Sequence, residues 1–196
     1  MSTLADNGRS RSRLFGALVA LCLAATPAVA QEEEPGFIIR TAFADLVNDV
    51  HYLYADIDYG LGESAIEALE NGVPLTFEVE VRVIRLRRWM WNQTVAEINQ
   101  QYQLIYHPLA DRYIVRDLAR GTQSSYLTFR AAATDLGRIS DLEIIADDQL
   151  TSDSTYQVRM RVRLVVEAFP APMRWVAILF PRWRLASDWY AWVLRS

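Results

Sequence analysis

The sequence predicts a mainly β protein, an antiparallel β-sandwich of immunoglobulin-like character with two short helical insertions. Residues 75–86 and 155–169 alternate apolar and polar side chains, as strands with one buried and one wet face do. Short turn signals, rather than long helical crossovers, join the strand-like segments. The chain has 196 residues, of which 52% are hydrophobic. That composition suits one packed domain and excludes a disordered chain.

An export signal is predicted at the N-terminus. Arg9, Arg11 and Arg13 come before an apolar segment at 14–25, which is too short for a bilayer-spanning helix of about 20 residues. A small-x-small pattern predicts cleavage after Ala30. We therefore expect a periplasmic protein; an uncleaved segment would instead anchor it in the inner membrane.

The predicted organisation is a signal peptide over 1–30, an acidic linker over 31–36 and a single β-sandwich domain over 37–196. The one cysteine, Cys22, lies in the signal segment, so the mature chain forms no disulfide and depends on its packed core. All 20 basic residues are arginine and the net charge is −4. An acidic chain without a basic run disfavours nucleic acid as a partner.

The first half of the domain is predicted to begin with three strands and a helix. The strands cover 37–46, 50–59 and 75–86, and the helix covers 64–71. Asn48 and Asp49 predict a turn. Ser64 is predicted to cap the helix, with Glu67 completing a capping box, and a slip in the alternation predicts a β-bulge near Ile84. One face of the first strand is predicted to carry Phe37, Ile39, Thr41 and Phe43.

The second half continues the pattern, for a total of about eight strands. Further strands are predicted over 95–106, 113–118, 124–127, 142–145 and 155–169. Thr128 is predicted to cap a second helix over 129–136. The segment Trp89-Met90-Trp91 is predicted to be a strand end or an aromatic-rich corner.

The aromatic C-terminal segment, 182–196, is predicted to be the last strand. Beyond Asp188 both alternating faces are apolar, which favours a central or covered strand over an exposed edge. On that basis Trp189→Ala is expected to cost about 3–5 kcal/mol.

No catalytic residue, cofactor or metal ligand set is predicted. His51 and His107 lack a nucleophile motif, and Asp56 and Asp58 alone are a weak signal for Ca²⁺ or Mg²⁺. A hydrolase that uses His51 with both aspartates is the least favoured function, because strand parity places His51 on the opposite face.

An arginine row at Arg159, Arg161 and Arg163 has two interpretations. It meets an anionic partner, or it pairs across the sheet with acids such as Glu78 and Glu80. Pairing is favoured, because cross-strand charge pairs contribute about 0.2–1 kcal/mol each.

The best candidate for an interaction surface lies between Pro172 and Pro181. If exposed, it forms a sizeable apolar patch; if buried, it covers a sheet edge. Both interpretations stay open. The candidate residues are Met173, Trp175, Val176, Ile178, Leu179 and Phe180.

Several short segments of the sequence resemble those of a known family. They are ALENGVPL at 68–75, YHPL at 106–109, YIV at 113–115 and the tryptophan-rich end at 183–192. Together with the export signal they resemble the DUF4390 family of secreted or envelope proteins of unknown function. The resemblance transfers no active-site residue. It implies an envelope role linked to signalling, with a sensor kinase ectodomain as the partner.

The leading functional hypothesis is therefore a non-enzymatic protein-interaction module of the envelope. The alternative is a binding protein for an apolar small ligand or lipid held between the sheets. A membrane contact is expected only if the N-terminal segment stays uncleaved.

Overall fold

Nine strands and two α-helices make up the part of the chain that the computed structural model describes, which is residues 36–169, 171 and 183–194. The helices are α1 (Glu63–Glu70) and α2 (Phe129–Gly137). The strands are β1 (Gly36–Val47), β2 (Val50–Gly60), β3 (Leu75–Leu86), β4 (Gln93–His107), β5 (Arg112–Asp117), β6 (Gln123–Tyr126), β7 (Arg138–Ala146), β8 (Thr155–Leu164) and β9 (Tyr190–Leu194).

The strands form two sheets, and every neighbouring pair is antiparallel. The small sheet has the order β1-β2-β7, and the large sheet has the order β6-β5-β4-β3-β8-β9. One hydrophobic core lies between them. The predicted fold class, a mainly β antiparallel sandwich with two short helices, is confirmed.

The core depends on the alternation of β3. Phe77, Val79, Val81 and Val83 all point inward and are fully buried. Phe77 meets Phe37 and Tyr59 of the small sheet, at ring-centroid distances of 5.7 and 4.9 Å. Burial of such side chains contributes about 1.5–3 kcal/mol each, and the ring of Phe77 joins the two sheets.

The β1–β2 hairpin has the predicted turn but not the predicted strand face. Asn48 and Asp49 both have positive φ, 50° and 62°, as a tight two-residue hairpin requires. Arg40 is an extra residue in β1, where the register shifts between Ile39 and Thr41. This bulge reverses the face of every later side chain. Phe43 is therefore exposed and does not share a face with the buried Phe37, as the sequence predicts it would.

The two helices differ in how they begin. The predicted Ser64 cap of α1 is wrong: Gly62 is the N-cap and no side chain caps the helix. The carbonyl of Gly62 already accepts the amides of Ala65 and Ile66, so Ser64 lies inside the first turn. The predicted Thr128 cap of α2 is confirmed, because its hydroxyl accepts the amide of Ala131 at 3.2 Å.

The C-terminal segment is not the covered central strand that the sequence predicts. Only Tyr190–Leu194 is a regular strand, and it pairs with β8 at the edge of the large sheet in the described part of the chain. Trp183 and Leu185 are buried, whereas Trp189 is 38% exposed. The break at Ser187 changes the phase, so the apolar residues beyond it do not form a second buried face.

Two other predicted features differ from, or lie outside, the described strands. The strand predicted over 155–169 ends at Leu164, and a 3-10 turn, Val166–Ala168, follows. The candidate surface at 173–180, with Met173, Trp175, Val176, Ile178, Leu179 and Phe180, lies outside the described residues, as does the export signal. No helix of the described residues is long and apolar enough to span a membrane.

Candidate functional site

The connection between β3 and β4 carries the largest exposed side chains of the described chain. Trp89, Met90 and Trp91 are 91%, 67% and 94% exposed. Single exposed apolar residues are ordinary on protein surfaces, but three large ones in succession are a sign of an interaction site. We call Trp89, Met90 and Trp91 the aromatic tip.

Polar contacts fix the base of the aromatic tip. The backbone amide of Arg87 donates to Oδ1 of Asn92 at 3.1 Å, and the Arg87 guanidinium donates to Gln93. Nε of Arg85 donates to Oγ of Ser154 at 2.8 Å. The register between β3 and β4 shifts near Ile84, where the sequence predicts a bulge, but the extra residue is Val95 of β4 and not a residue of β3. Bulges bend a hairpin and increase its twist.

Two further connections lie at the same end of the sandwich as the aromatic tip. Ser154 joins the β7–β8 connection to Arg85, and in the same connection the amide of Asp147 donates to the carbonyl of Asp49 at 2.8 Å. The β1–β2 hairpin at this end exposes Leu46 and Val47, 45% and 43%. We call Leu46, Val47 and the aromatic tip together the apolar end.

Charges of both signs lie in or beside the connections that carry the apolar end. The positive side chains are Arg85, Arg87 and Arg88. The negative ones are Asp45, Asp49, Asp147, Asp148 and Asp153. This end of the sandwich therefore combines exposed apolar side chains with charges of both signs.

His51 holds the β7–β8 connection from inside. Its side chain is fully buried, and Nε2 lies 3.1 Å from Oδ1 of Asp147, while Nδ1 has no hydrogen-bond partner. Asp56 and Asp58 lie on the other face of β2, and Asp58 pairs with Arg40. The structure therefore does not bring His51 together with the two aspartates, as strand parity predicts.

The arginine row lies on the outer face of the large sheet, and two of its three members are paired with acids as favoured; the third, Arg159, donates to Gln157 instead. Nη2 of Arg163 lies 2.7 Å from Glu78, and Nη2 of Arg161 lies 2.6 Å from Glu80. Burial alone would raise the pKa of Glu78, but hydrogen bonds from Gln101 and Arg163 outweigh it and hold that pKa below its usual value. The charges of Arg161 and Arg163 are therefore balanced by Glu80 and Glu78.

No group of three His, Cys, Asp or Glu residues that could hold a metal ion occurs among the described residues. An open groove of about 580 Å³ includes Arg40, Asp56 and Asp58, and Arg40 and Asp58 pair with each other there. Its lining therefore presents a salt bridge and the exposed carboxylate of Asp56.

Sequence reasoning missed the aromatic tip as a site. It placed Trp89-Met90-Trp91 at a strand end or corner, and it assigned the interaction surface to the apolar segment between Pro172 and Pro181. The available signal was the position of these residues between two strands, bounded by Arg87, Arg88 and Asn92. A turn of this kind is a surface position, so its aromatic residues have no core to enter.

A family model described as a domain of unknown function (DUF4390) matches residues 34–193. No curated protein and no solved structure matches the chain.

Proposed function

The chain belongs to the DUF4390 family, a family of unknown function, and we propose that it is a non-enzymatic protein-interaction module of the cell envelope. Its apolar end docks on a partner protein, and the aromatic tip makes the central contact.

The exposure of Trp89 and Trp91, 91% and 94%, carries the proposal. Trp, Met and Arg are enriched at the centres of protein interfaces, and this connection contains all three. A tryptophan buries about 150–250 Å², which at about 25 cal/mol per Å² corresponds to roughly 4–6 kcal/mol for each ring before the entropic costs of association. Two such rings on a hairpin that is fixed by hydrogen bonds provide enough binding free energy for a specific complex.

The charges around the tip favour a protein over an anionic lipid surface. Three arginines would attract lipid headgroups, but Asp49, Asp148 and Asp153 at the same end would be repelled. Protein interfaces, in contrast, combine an apolar centre with a polar rim of both signs. The partner that fits is a protein with an apolar pocket and its own mixed rim.

The envelope location is part of the proposal and is supported by the predicted export signal, for which the sequence predicts cleavage after Ala30. Cleavage there gives a periplasmic protein, and an uncleaved segment gives one anchored in the inner membrane. The family resemblance supports a sensor kinase ectodomain as the partner.

The alternative, an apolar ligand between the sheets, has less support. The rings of Phe37, Tyr59 and Phe77 occupy that space at centroid distances of 4.9–5.7 Å, so a ligand would have to displace core side chains. A hydrolase has less support still, because His51 is buried away from Asp56 and Asp58.

Site-specific photocrosslinking in the periplasm tests the docking surface. A photoreactive residue replaces Met90 in one variant and Leu109 in the other. Leu109 is 97% exposed and lies in the β4–β5 turn, at the opposite end of β4. We expect a crosslinked envelope protein from position 90 only. Its purified form should bind the wild-type chain and lose affinity at least about tenfold, or 1.4 kcal/mol, with Trp91→Ser.

Three results would contradict the proposal. The first is the same crosslinked protein from both positions, and the second is an affinity that Trp91→Ser does not change. The third is a crosslink only to lipid or to a second copy of this chain, which would replace the partner protein with a membrane or a homodimer.

A further inference from the structure

We propose that the chain has a second, separate binding site, a polar pocket that accepts a small, neutral, polyhydroxylated molecule of about one sugar ring. The pocket has a volume of about 230 Å³. Its main polar residues are Asp117, Arg120, Ser124, Asp135, Arg138 and Ser140.

The pocket exists because the two sheets differ in width. The large sheet continues past β4 into β5 and β6, whereas the small sheet ends at β7. Helix α2 lies over this open edge and contacts β5, β6 and β7. The pocket therefore has a strand floor and a helix wall, both parts of the regular fold and not of a loose loop.

A saturated carboxylate makes one side of the pocket rigid. Oδ1 of Asp117, which is 9% exposed, accepts the side-chain amide of Gln100 at 2.6 Å and the backbone amides of Ala119 and Arg120 at 2.9 Å. Nη2 of Arg120 donates to the carbonyl of Asp141 at 2.6 Å. The Arg120 guanidinium is thus held in place, and pre-organised donors bind at a lower entropic cost.

Other polar groups of the pocket remain available to a ligand. Arg138, Thr122 and Ser140 line it, and their side chains have no hydrogen-bond partner among the described residues. Tyr102 supplies an aromatic ring at the wall.

The balance of charge decides the class of ligand. Two guanidiniums, Arg120 and Arg138, and two carboxylates, Asp117 and Asp135, line the pocket, so the lining has no net charge. An anion or a cation would meet a repulsive partner, and an apolar molecule would cover the unpaired side chains of Arg138, Thr122 and Ser140 without hydrogen bonds to them. Hydroxyl groups both donate and accept, so a sugar ring can satisfy carboxylates, guanidiniums and serine hydroxyls together. The pocket lies below the range of about 300–1,000 Å³ for drug-sized ligands, which favours a single ring.

A titration of the mature chain with small sugars, monitored by the NMR chemical shifts of its backbone amides, tests this site. The probes are glucose and N-acetylglucosamine as neutral sugars, glucuronate as the anion and glucosamine as the cation. We expect saturable shifts with the neutral sugars, in the millimolar range of dissociation constants, at the amides of Ala119, Arg120, Ser124 and Ser140. Arg138→Gln and Asp135→Asn should each weaken binding at least about tenfold.

The matched control is Arg159→Gln, which removes an exposed arginine from the outer face of the large sheet and should leave the affinity unchanged. No saturable shift with either neutral sugar overturns the proposal, as does tighter binding of glucuronate or glucosamine. Shifts that map elsewhere, or that persist in both pocket variants, overturn it too. Tip variants such as Trp91→Ser should not alter sugar binding, so failure here and failure of the protein-docking proposal are distinguishable.

Discussion

The guanidinium of Arg161 lies 4.6 Å from the centroid of the Trp189 ring. Arg82 lies 5.3 Å from the same centroid, so one ring covers two of the arginines that pair with Glu80. Trp189 therefore packs over the ion pairs on the outer face of the large sheet and is not a core side chain.

Trp189→Ala should cost about 1–2 kcal/mol in unfolding free energy. The ring is 38% exposed, so the change removes cation–π contacts of about 0.5–1 kcal/mol each and part of an apolar area, without leaving a closed cavity. Urea unfolding measures the difference. Trp183→Ala is the matched control: Trp183 is 4% exposed and packs edge-on against Phe169 at 5.4 Å, so it should cost about 3–5 kcal/mol. Equal losses of unfolding free energy in the two variants would contradict the position of Trp189 outside the core.

Glu80→Gln should destabilise the chain by about 2–4 kcal/mol. Its carboxylate is 2.6 Å from Arg161 and 2.5 Å from Arg82, and losing one partner of a buried charge cluster leaves the others uncompensated. The arginines are 34% and 40% exposed, which keeps the loss below that of a fully buried pair.

Glu97→Gln is the comparison for Glu80→Gln. Glu97 lies 3.4 Å from Arg82, and its side chain is 46% exposed, so its removal should change stability by no more than about 0.5 kcal/mol. Chemical denaturation of both variants at neutral pH checks the contrast. A loss at Glu97 as large as that at Glu80 would show that burial does not set the strength of these pairs.

The sequence could predict these cross-strand ion pairs, because the pattern that produces them is local to each strand. Alternation in β3 and β8 placed Glu78, Glu80 and the arginines on one face, and antiparallel pairing then opposed them, as in Glu78 opposite Arg163. The Asn48-Asp49 turn and the Thr128 cap were predictable for the same reason. Each depends on side chains within a few residues.

Other features depend on contacts between distant segments. The bulge at Arg40 has no local signal, yet it moves Phe43 to the surface. The edge position of β9 follows from which strand reaches β8, and alternation within the tail does not specify that partner. The candidate pocket was likewise invisible, because Asp117, Asp135 and Arg138 come from three elements that meet only in the fold.

The stability contributed by Glu78 should depend on pH in a defined direction. Hydrogen bonds from Gln101 and Arg163 outweigh burial and place its pKa below the ordinary value of 4.5. The folded state thus prefers the ionised form, so the contribution is complete above about pH 4.5 and is lost as the pH falls through the lowered pKa. We expect the stability difference between wild type and Glu78→Gln to be largest near neutral pH and to shrink below pH 4.5. A difference that grows on acidification would contradict this sign.

Gly137→Ala should disturb the end of α2. A Cβ atom there would lie 2.1 Å from the carbonyl oxygen of Ile57, and because both sides of that contact are backbone, helix and strand must move apart. Overpacking of this kind costs about 1–3 kcal/mol, measured as a lower midpoint in thermal or urea unfolding. Gly72→Ala provides the contrast: it has no neighbour within 4 Å but a φ of +85°, so it should cost about 1 kcal/mol of backbone strain. Sugar binding at the polar pocket beneath α2 should weaken with Gly137→Ala only.

The double substitution Trp89→Ser with Trp91→Ser should leave the unfolding free energy within about 0.5 kcal/mol of wild type. Both rings are more than 90% exposed, so the folded state gains little from them, and the contacts that fix the base use Arg85, Arg87 and Asn92. Two large rings that stabilise nothing in the isolated domain are the pattern expected where a partner supplies the burial. Urea unfolding of the variant measures this, with Leu109→Ser as an exposed control from the opposite end of β4. A loss above about 1 kcal/mol would instead show that the rings pack on the domain itself, and the proposed docking surface would then lose its main support.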